Sequence, residues 1–395
     1  MENLFRKSSQ KINNCPRKFY RYLYKKINYN NRLISVLGAR GTGKTTLLLQ
    51  IGFKFSNQTT LYVALDDLFF SGNSLYGLAE EFNKRGGELL LLDEVHKYPN
   101  WSRELKLIYD DFPNLKTLFT SSSILDIYKG ESDLSRRALS YHLKELSFRE
   151  FLLFHKSINV PTFRLNDILN NHESITNDLL QKFKPLQFFH EYLQVGAYPY
   201  YDGEKEEYYQ KLRQTISLIF DVDMAATQNI NYANIAKLKR LLYILAVNVP
   251  FTPNISKLSE RIGINRNYLV EAIHFMEKAE LISALNKQSK SIRTLSKPDK
   301  IWMQNTNLSY AISNIEPDIG NLRETFFISQ MQHIHEIKLS EKADFLVDDT
   351  IVFEVGGKSK NKKQINGLEN AFVVKDNIET GVFNVIPLWI FGLLY

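Results

Sequence analysis

The stretch Leu33-Ile34-Ser35-Val36-Leu37-Gly38-Ala39-Arg40-Gly41-Thr42-Gly43-Lys44-Thr45-Thr46 runs an apolar strand into a glycine-rich turn and then a leucine-rich helix. Gly38, Gly43, Lys44 and Thr45 stand at the G-x-x-x-x-G-K-[ST] spacing, where each position serves a nucleoside triphosphate. Glycines let backbone N–H groups close round a β-phosphate where a Cβ would intrude, and a helix beginning at Lys44 adds its positive N-terminal end. Lys44 is expected to reach the β- and γ-oxygens as a point charge, and the Thr45 hydroxyl to sit on Mg²⁺. Ala39, Arg40, Gly41, Thr42 and Thr46 complete the loop, so ATP and Mg²⁺ are the expected ligands. The competing reading is an ordinary strand–turn–helix corner with a surface lysine.

A second motif about fifty residues downstream argues against that alternative. Glu88-Leu89-Leu90-Leu91-Leu92 is an apolar run short enough for a strand buried on both faces of a parallel sheet, and it ends in Asp93 and Glu94. A carboxylate at the end of a central strand beside a phosphate loop can hold the Mg²⁺ hydration shell, and the next can polarise the attacking water. Asp93 is expected on the metal side, with Glu94 as the base.

With 395 residues the chain exceeds one ordinary domain, so two or three are expected. A hydrophobic content of 44% places it among folded proteins, and its single cysteine, Cys15, excludes an internal disulfide and fits a reducing compartment. Met1-Glu2-Asn3 lacks the layout of a signal peptide, and no apolar run approaches the roughly 20 residues of a membrane helix. The cytoplasm is the expected compartment, with no membrane partner. Val385 to Tyr395, the longest apolar run, reads as a final strand.

Between Pro16 and Ile27, basic and aromatic residues alternate as in an amphipathic helix with a solvated basic face. Strands at Thr60–Leu65, Glu88–Leu92 and Thr117–Thr120 alternate with helices around Ser74–Lys84 and Trp101–Phe112, which makes a parallel, doubly wound α/β sheet. Ser121-Ser122-Ser123 follows, either a plain serine-rich turn or hydroxyls for the γ-phosphate and the lytic water. Arg136 and Arg137 lie in a polar loop before a strand at Ala138–Leu143. They can reach a neighbouring subunit's phosphate site as a finger, which would require a homo-oligomer, or pair with an acid on their own surface.

Gly38-Ala39-Arg40 with Gly43-Lys44-Thr45-Thr46, then Leu91-Leu92-Asp93-Glu94-Val95-His96-Lys97-Tyr98-Pro99-Asn100-Trp101, Asp133-Leu134-Ser135-Arg136-Arg137 and Leu146-Ser147-Phe148-Arg149-Glu150-Phe151, resemble the bacterial and archaeal AAA+ superfamily ATPases that carry a C-terminal domain of unknown function. The resemblance covers most of the chain. It implies a P-loop AAA+ domain over 1–145, a helical lid and connector over 146–230, a winged helix over 231–298 and a restriction-nuclease-like α/β domain over 299–395. It also implies that Lys44 and Thr45 contact nucleotide and magnesium, that Asp93 and Glu94 form the second acidic motif, and that Ser122 is the sensor. Two departures are Gly41, where glutamine is frequent, and Ser121, where a glycine usually precedes the sensor serines.

The patterns from Leu146 to about Met224 are helical, punctuated by Pro161, Gly196, Pro199 and Gly203. The unit after them has helices at Leu238–Ala246, Ile255–Ile262 and Asn265–Lys278, and a wing from Leu281 to Leu295. Residues 231–300 hold 12 Lys and Arg against 5 Asp and Glu, an excess of +7 that equals the net charge of the whole chain. The positive excess is therefore local, as expected of a phosphate-backbone binder, with Asn265, Arg266 and Asn267 opening the helix that would enter the major groove of DNA. A winged helix for protein contacts is the alternative.

Toward the end, Glu324 on a helix precedes Asp344 and Glu354 on neighbouring strands, the order of acids found in restriction-type nucleases and able to gather a second divalent ion. The lysine expected two residues after the glutamate is missing, because position 356 is Gly356; Lys358 is the nearby replacement. An inactive nuclease-like domain is the expectation. The sum is an ATP-hydrolysing protein whose nucleotide state controls a DNA-facing C-terminal half. The alternative is a slow nucleotide-switched interaction module without DNA binding.

Overall fold

A computed structural model describes residues 2–55, 59–121, 134, 136–224, 232–287, 297–313, 316–360 and 363–395. The chain divides into two compact units, Met1–Glu145 and Leu146–Tyr395.

In the first unit, strands β1 (Leu33–Leu37), β2 (Thr60–Ala64), β3 (Leu89–Asp93), β4 (Lys116–Ser121) and β5 (Ala138–His142) form one sheet in the order β2-β3-β4-β1-β5. Each pairing is parallel. Every residue of β1 and β3 is buried, as strands covered on both faces must be. The helices α1 (Glu2–Asn14), α2 (Leu23–Lys26), α3 (Lys44–Lys54), α4 (Leu75–Lys84) and α5 (Trp101–Asp111) lie between and before the strands. Helix α4 starts where sequence places it, because the Ser74 hydroxyl accepts the Gly77 N–H at 3.0 Å. Leu78 and Phe82 of α4 and Leu105 and Ile108 of α5 join Leu61, Leu90, Leu92 and Phe119 of the sheet in one core.

The segment Pro16–Ile27 departs from expectation, because only Leu23–Lys26 is helical. Its carbonyls are taken by a side chain instead of by helical N–H groups: Gln50 Nε2 donates to Pro16 O at 2.7 Å and Phe19 O at 2.8 Å. Arg21, expected on a solvated face, is 5% exposed.

The second unit begins with helices α6 (Phe148–Lys156), α7 (Leu165–Leu180), α8 (Pro185–Val195) and α9 (Lys205–Leu218). Helices α10 (Tyr232–Val247), α11 (Ile255–Ile262) and α12 (Arg266–Lys278) precede an antiparallel pair, β6 (Ile282–Leu285) and β7 (Lys300–Met303). Most of the segment read as a wing, namely residues 288–295 of it, lies outside the described residues.

Helices α13 (Thr306–Ile312) and α14 (Ile319–Met331) lead to strands β8 (Ile337–Leu339), β9 (Phe345–Val347), β10 (Ile351–Gly356), β11 (Ala371–Lys375) and β12 (Val385–Pro387). These five form a mixed sheet, antiparallel from β8 to β10 and parallel from β10 to β12. Phe327 of α14 packs against Phe345, Phe353 and Phe391 with ring centroids 5.0–5.4 Å apart.

The apolar run from Val385 is not one strand. It pairs only through Pro387, which has no N–H to extend a ladder, and continues as 3₁₀ turns over Leu388–Leu393. Those turns sink into the unit: a Cβ at Gly392 would collide with Phe148 Cβ, and Ser147 Oγ and Arg149 Nε donate to Tyr395 O at 2.7 and 2.8 Å.

Candidate nucleotide site and the C-terminal acids

Strand β1 lies between β4 and β5, so the loop after it opens where the strand order reverses, the place where open parallel sheets bind ligands. Gly38, Gly41 and Gly43 have φ of 146°, 83° and 95°, in the region glycine enters without steric cost. A Cβ at Gly38 would also strike the Leu143 carbonyl oxygen. The Lys44 side chain turns back into the loop, its ammonium donating to Gly38 O at 2.9 Å and Ala39 O at 2.8 Å. Thr42 is fully buried, and its hydroxyl donates to Ala39 O at 2.9 Å.

The acid after β3 is brought to the start of α3. Thr45 Oγ1 donates to Asp93 Oδ2 at 2.8 Å. Two residues without a local sequence signal complete this cluster: Tyr62 donates its hydroxyl to the same oxygen at 2.9 Å, and Thr120 donates to Asp93 Oδ1. Burial, with the Asp93 carboxylate beside it, raises the Tyr62 phenol well above its usual range, so it stays a donor. A carboxylate 3% exposed and held by three hydroxyls is oriented before any ligand arrives. With Thr45 at hydrogen-bond distance, the donor set fits Mg²⁺, which takes one or two protein oxygens and keeps its remaining places for water and phosphate.

Glu94 has φ 55° and ψ 45°, a left-handed conformation unusual for a residue with a side chain, and its N–H donates to Thr120 Oγ1 at 3.1 Å. Its carboxylate lies 3.5 Å from His96 Nε2. Arg21 links the loop to a second backbone segment through three carbonyls. Its guanidinium donates to Thr42 O, to Lys144 O at 2.6 Å and to Glu145 O at 3.0 Å.

Residues 30–152 match an AAA domain. This stretch holds the phosphate loop, both acids at the end of β3 and all five strands of the first unit's sheet. Residues 186–319 match a domain of unknown function (DUF8612). The chain is 27% identical over 378 residues to an uncharacterized protein, MJ1637, of Methanocaldococcus jannaschii, covering 86% of this chain and 78% of that one. Among solved structures, it is similar to the Walker-type ATPase PABY2304 of Pyrococcus abyssi, with a TM-score of 0.42 at 12% identity over 78% of this chain and 94% of that one. AMPPCP-bound DnaA from Aquifex aeolicus is matched with a TM-score of 0.28 at 17% identity, over 65% of this chain and 86% of that one. No helix among the described residues is long and apolar enough to cross a membrane.

Within the first unit the two loop arginines part company. Arg137 is forked on Asp110 of its own unit, Nε to Oδ1 at 2.9 Å and Nη2 to Oδ2 at 3.0 Å, and holds that carboxyl below its usual range. Arg136 is exposed. Ser122, the expected sensor, lies outside the described residues.

In the second unit, Asn265 caps α12 by accepting the Tyr268 N–H at 2.8 Å, and Lys237 Nζ closes the preceding turn on Gly263 O at 2.7 Å. Asn265, Arg266, Asn267, Tyr268 and Glu271 line an open depression there.

The three C-terminal acids are each already engaged. Trp302 Nε1 donates to Glu324 Oε2 at 3.1 Å, the Val355 N–H donates to Asp344 Oδ2 at 2.8 Å, and Glu354, fully buried, is ion-paired with Lys360. Burial, and after it the Asp344 charge, pushes the Glu324 carboxyl up to about 7, and burial likewise raises Glu354. Among the described residues no group of three or more His, Cys, Asp and Glu is placed to hold a metal ion. Lys358, the replacement expected from sequence, is exposed. Lys360 supplies the ammonium in its place, and the bare Cα of Gly356 makes room: a Cβ there would stand 2.7 Å from Lys360 Cδ.

Proposed function

We propose that the protein binds ATP with Mg²⁺ at Gly38–Thr46 and hydrolyses it, and that its nucleotide state controls a DNA-facing C-terminal half. The observation that carries this reading is the 2.8 Å hydrogen bond from Thr45 to Asp93, which joins two motifs 48 residues apart into one phosphate and metal site. Lys44 and the loop N–H groups bind the phosphates, Thr45 and Asp93 hold the ion, and Glu94 takes the proton of the attacking water. Mg²⁺ bound there would supply charge neutralisation for the phosphates. Ser122 is assigned to sensing the γ-phosphate.

Arg136, exposed where Arg137 is paired, acts as the finger toward a neighbouring copy in a homo-oligomer. The DNA contact is assigned to 231–300, on the local excess of positive charge and the polar start of α12. Glu324, Asp344 and Glu354 are read as a nuclease-like centre that no longer cuts, because its carboxylates are taken by Trp302, the β10 backbone and Lys360. The cytoplasm is the proposed compartment.

Steady-state phosphate release with and without duplex DNA tests this reading. Lys44→Ala is expected to abolish turnover and nucleotide binding with the fold intact. Glu94→Gln is expected to bind ATP and turn it over roughly a hundredfold more slowly. A parental rate in Glu94→Gln would remove Glu94 as the base, and no phosphate release by the parent under any condition would leave the nucleotide-switch alternative.

A further inference from the structure

The proposed base faces a residue to which the motifs assign no role. The His96 side chain is 3% exposed, in the short 3₁₀ turn Val95–Lys97 after the acids. Its Nδ1 lies 3.1 Å from Ser121 Oγ at the end of β4, and its Nε2 lies 3.5 Å from Glu94 Oε2. An ionised carboxylate only accepts, so the ring must carry its proton on Nε2 to favour Glu94. In the neutral ring Nδ1 is then an acceptor, and the Ser121 hydroxyl is the donor that selects this tautomer.

Thr120 and Ser121 are successive residues of β4, whose side chains leave opposite faces of the strand. Thr120 reaches Asp93 and the Glu94 N–H directly, whereas Ser121 reaches the Glu94 carboxylate through the imidazole. One strand end thus sets both acids: Thr120 accepts the N–H of the left-handed Glu94, and the ring that Ser121 contacts faces the Glu94 carboxylate. We propose that His96 is a positioning residue for hydrolysis, holding the Glu94 carboxylate in the orientation that accepts the proton of the attacking water. This rests on the reading of Glu94 as the base.

The test is steady-state ATP hydrolysis by the full chain, with nucleotide affinity measured separately. His96→Phe keeps an aromatic ring in the pocket and removes both nitrogens. It is expected to lower kcat at least about tenfold while KM and ATP affinity stay within about twofold. His96→Gln retains a donor toward Glu94 and should recover a substantial part of the rate, and Ser121→Ala should lower kcat less than His96→Phe. In a Glu94→Gln background, His96→Phe should cause no further loss, because its effect runs through that carboxylate.

A parental or raised kcat in His96→Phe overturns the proposal, as does a loss that adds in full to that of Glu94→Gln. If Glu94→Gln itself turns over at the parental rate, the reading of Glu94 fails instead, and the two failures are told apart. Should His96→Phe not fold, Ser121→Ala and His96→Gln decide: equal kcat in both and in the parent overturns the assignment.

Discussion

Single side chains in this protein join segments far apart in the chain, and Arg21 is the clearest of them. Its guanidinium, 5% exposed, serves the carbonyls of Thr42, Lys144 and Glu145, so it ties the phosphate loop to the end of the first unit. Removing a buried charged donor leaves those oxygens without it, a loss on the order of 3 kcal/mol or more. Arg21→Ala is expected to destabilise the first unit by about that amount and to weaken nucleotide binding through the displaced loop. Urea unfolding followed by circular dichroism checks this, and an unchanged midpoint would show that Arg21 is dispensable. Arg21→Lys should rescue little, because an ammonium cannot reproduce the planar fork.

Among the helices, α3 and α12 are assigned the two proposed charge-dependent contacts, with phosphate and with DNA, and they begin by different means. Helix α3 begins in a loop whose glycines adopt positive φ, and aims its N-terminus at the phosphate site. Helix α12 begins after an asparagine cap, with Arg266 at its first turn. If α12 contacts duplex DNA, each neutralised phosphate releases counterions, and affinity falls steeply as salt rises. Arg266→Glu is expected to weaken binding by about tenfold or more at low salt and to flatten the salt dependence, measured by fluorescence anisotropy on labelled duplex. Binding that is absent from the parent, or unchanged by the reversal, would leave this helix to protein contacts.

Each of the two compact units has its own sheet, which bears on how nucleotide should act on stability. A ligand that binds only the folded first unit stabilises it by mass action, by about 2.7 kcal/mol at a concentration a hundredfold above its dissociation constant. Calorimetry with MgATP is expected to raise the unfolding transition of Met1–Glu145 by a few degrees. The Lys44→Ala protein should show no such shift. A parent whose transitions ignore MgATP would contradict nucleotide binding itself.

The phosphate loop, the acid-tipped strand and the parallel sheet were legible in the amino-acid order because each is a local matter. Glycine positions and short apolar runs act over a few residues, and their chemistry is nearly independent of what packs on them. Helices α11 and α12 were legible for the same reason, from apolar spacing punctuated by Gly263 and Asn265. Tertiary structure alone decided what surrounds these elements. Tyr62, Thr120 and Thr45 converge on Asp93 from three separate elements, and no periodicity marks a hydroxyl for that duty. The segment before β1 has the pattern of a helix and is mostly not one, since Gln50 of α3 takes two of its carbonyls. The run after Val385 has the apolarity of a long strand, yet the burial of Leu388–Leu393 against Phe148 outweighs a ladder that Pro387 cannot extend. Lys360 reaches Glu354 because the chain turns back over a glycine. In each case the partner is distant in the chain, and hydrogen-bond satisfaction in a buried setting, which outweighs local propensity, exists only once the fold has brought the two together.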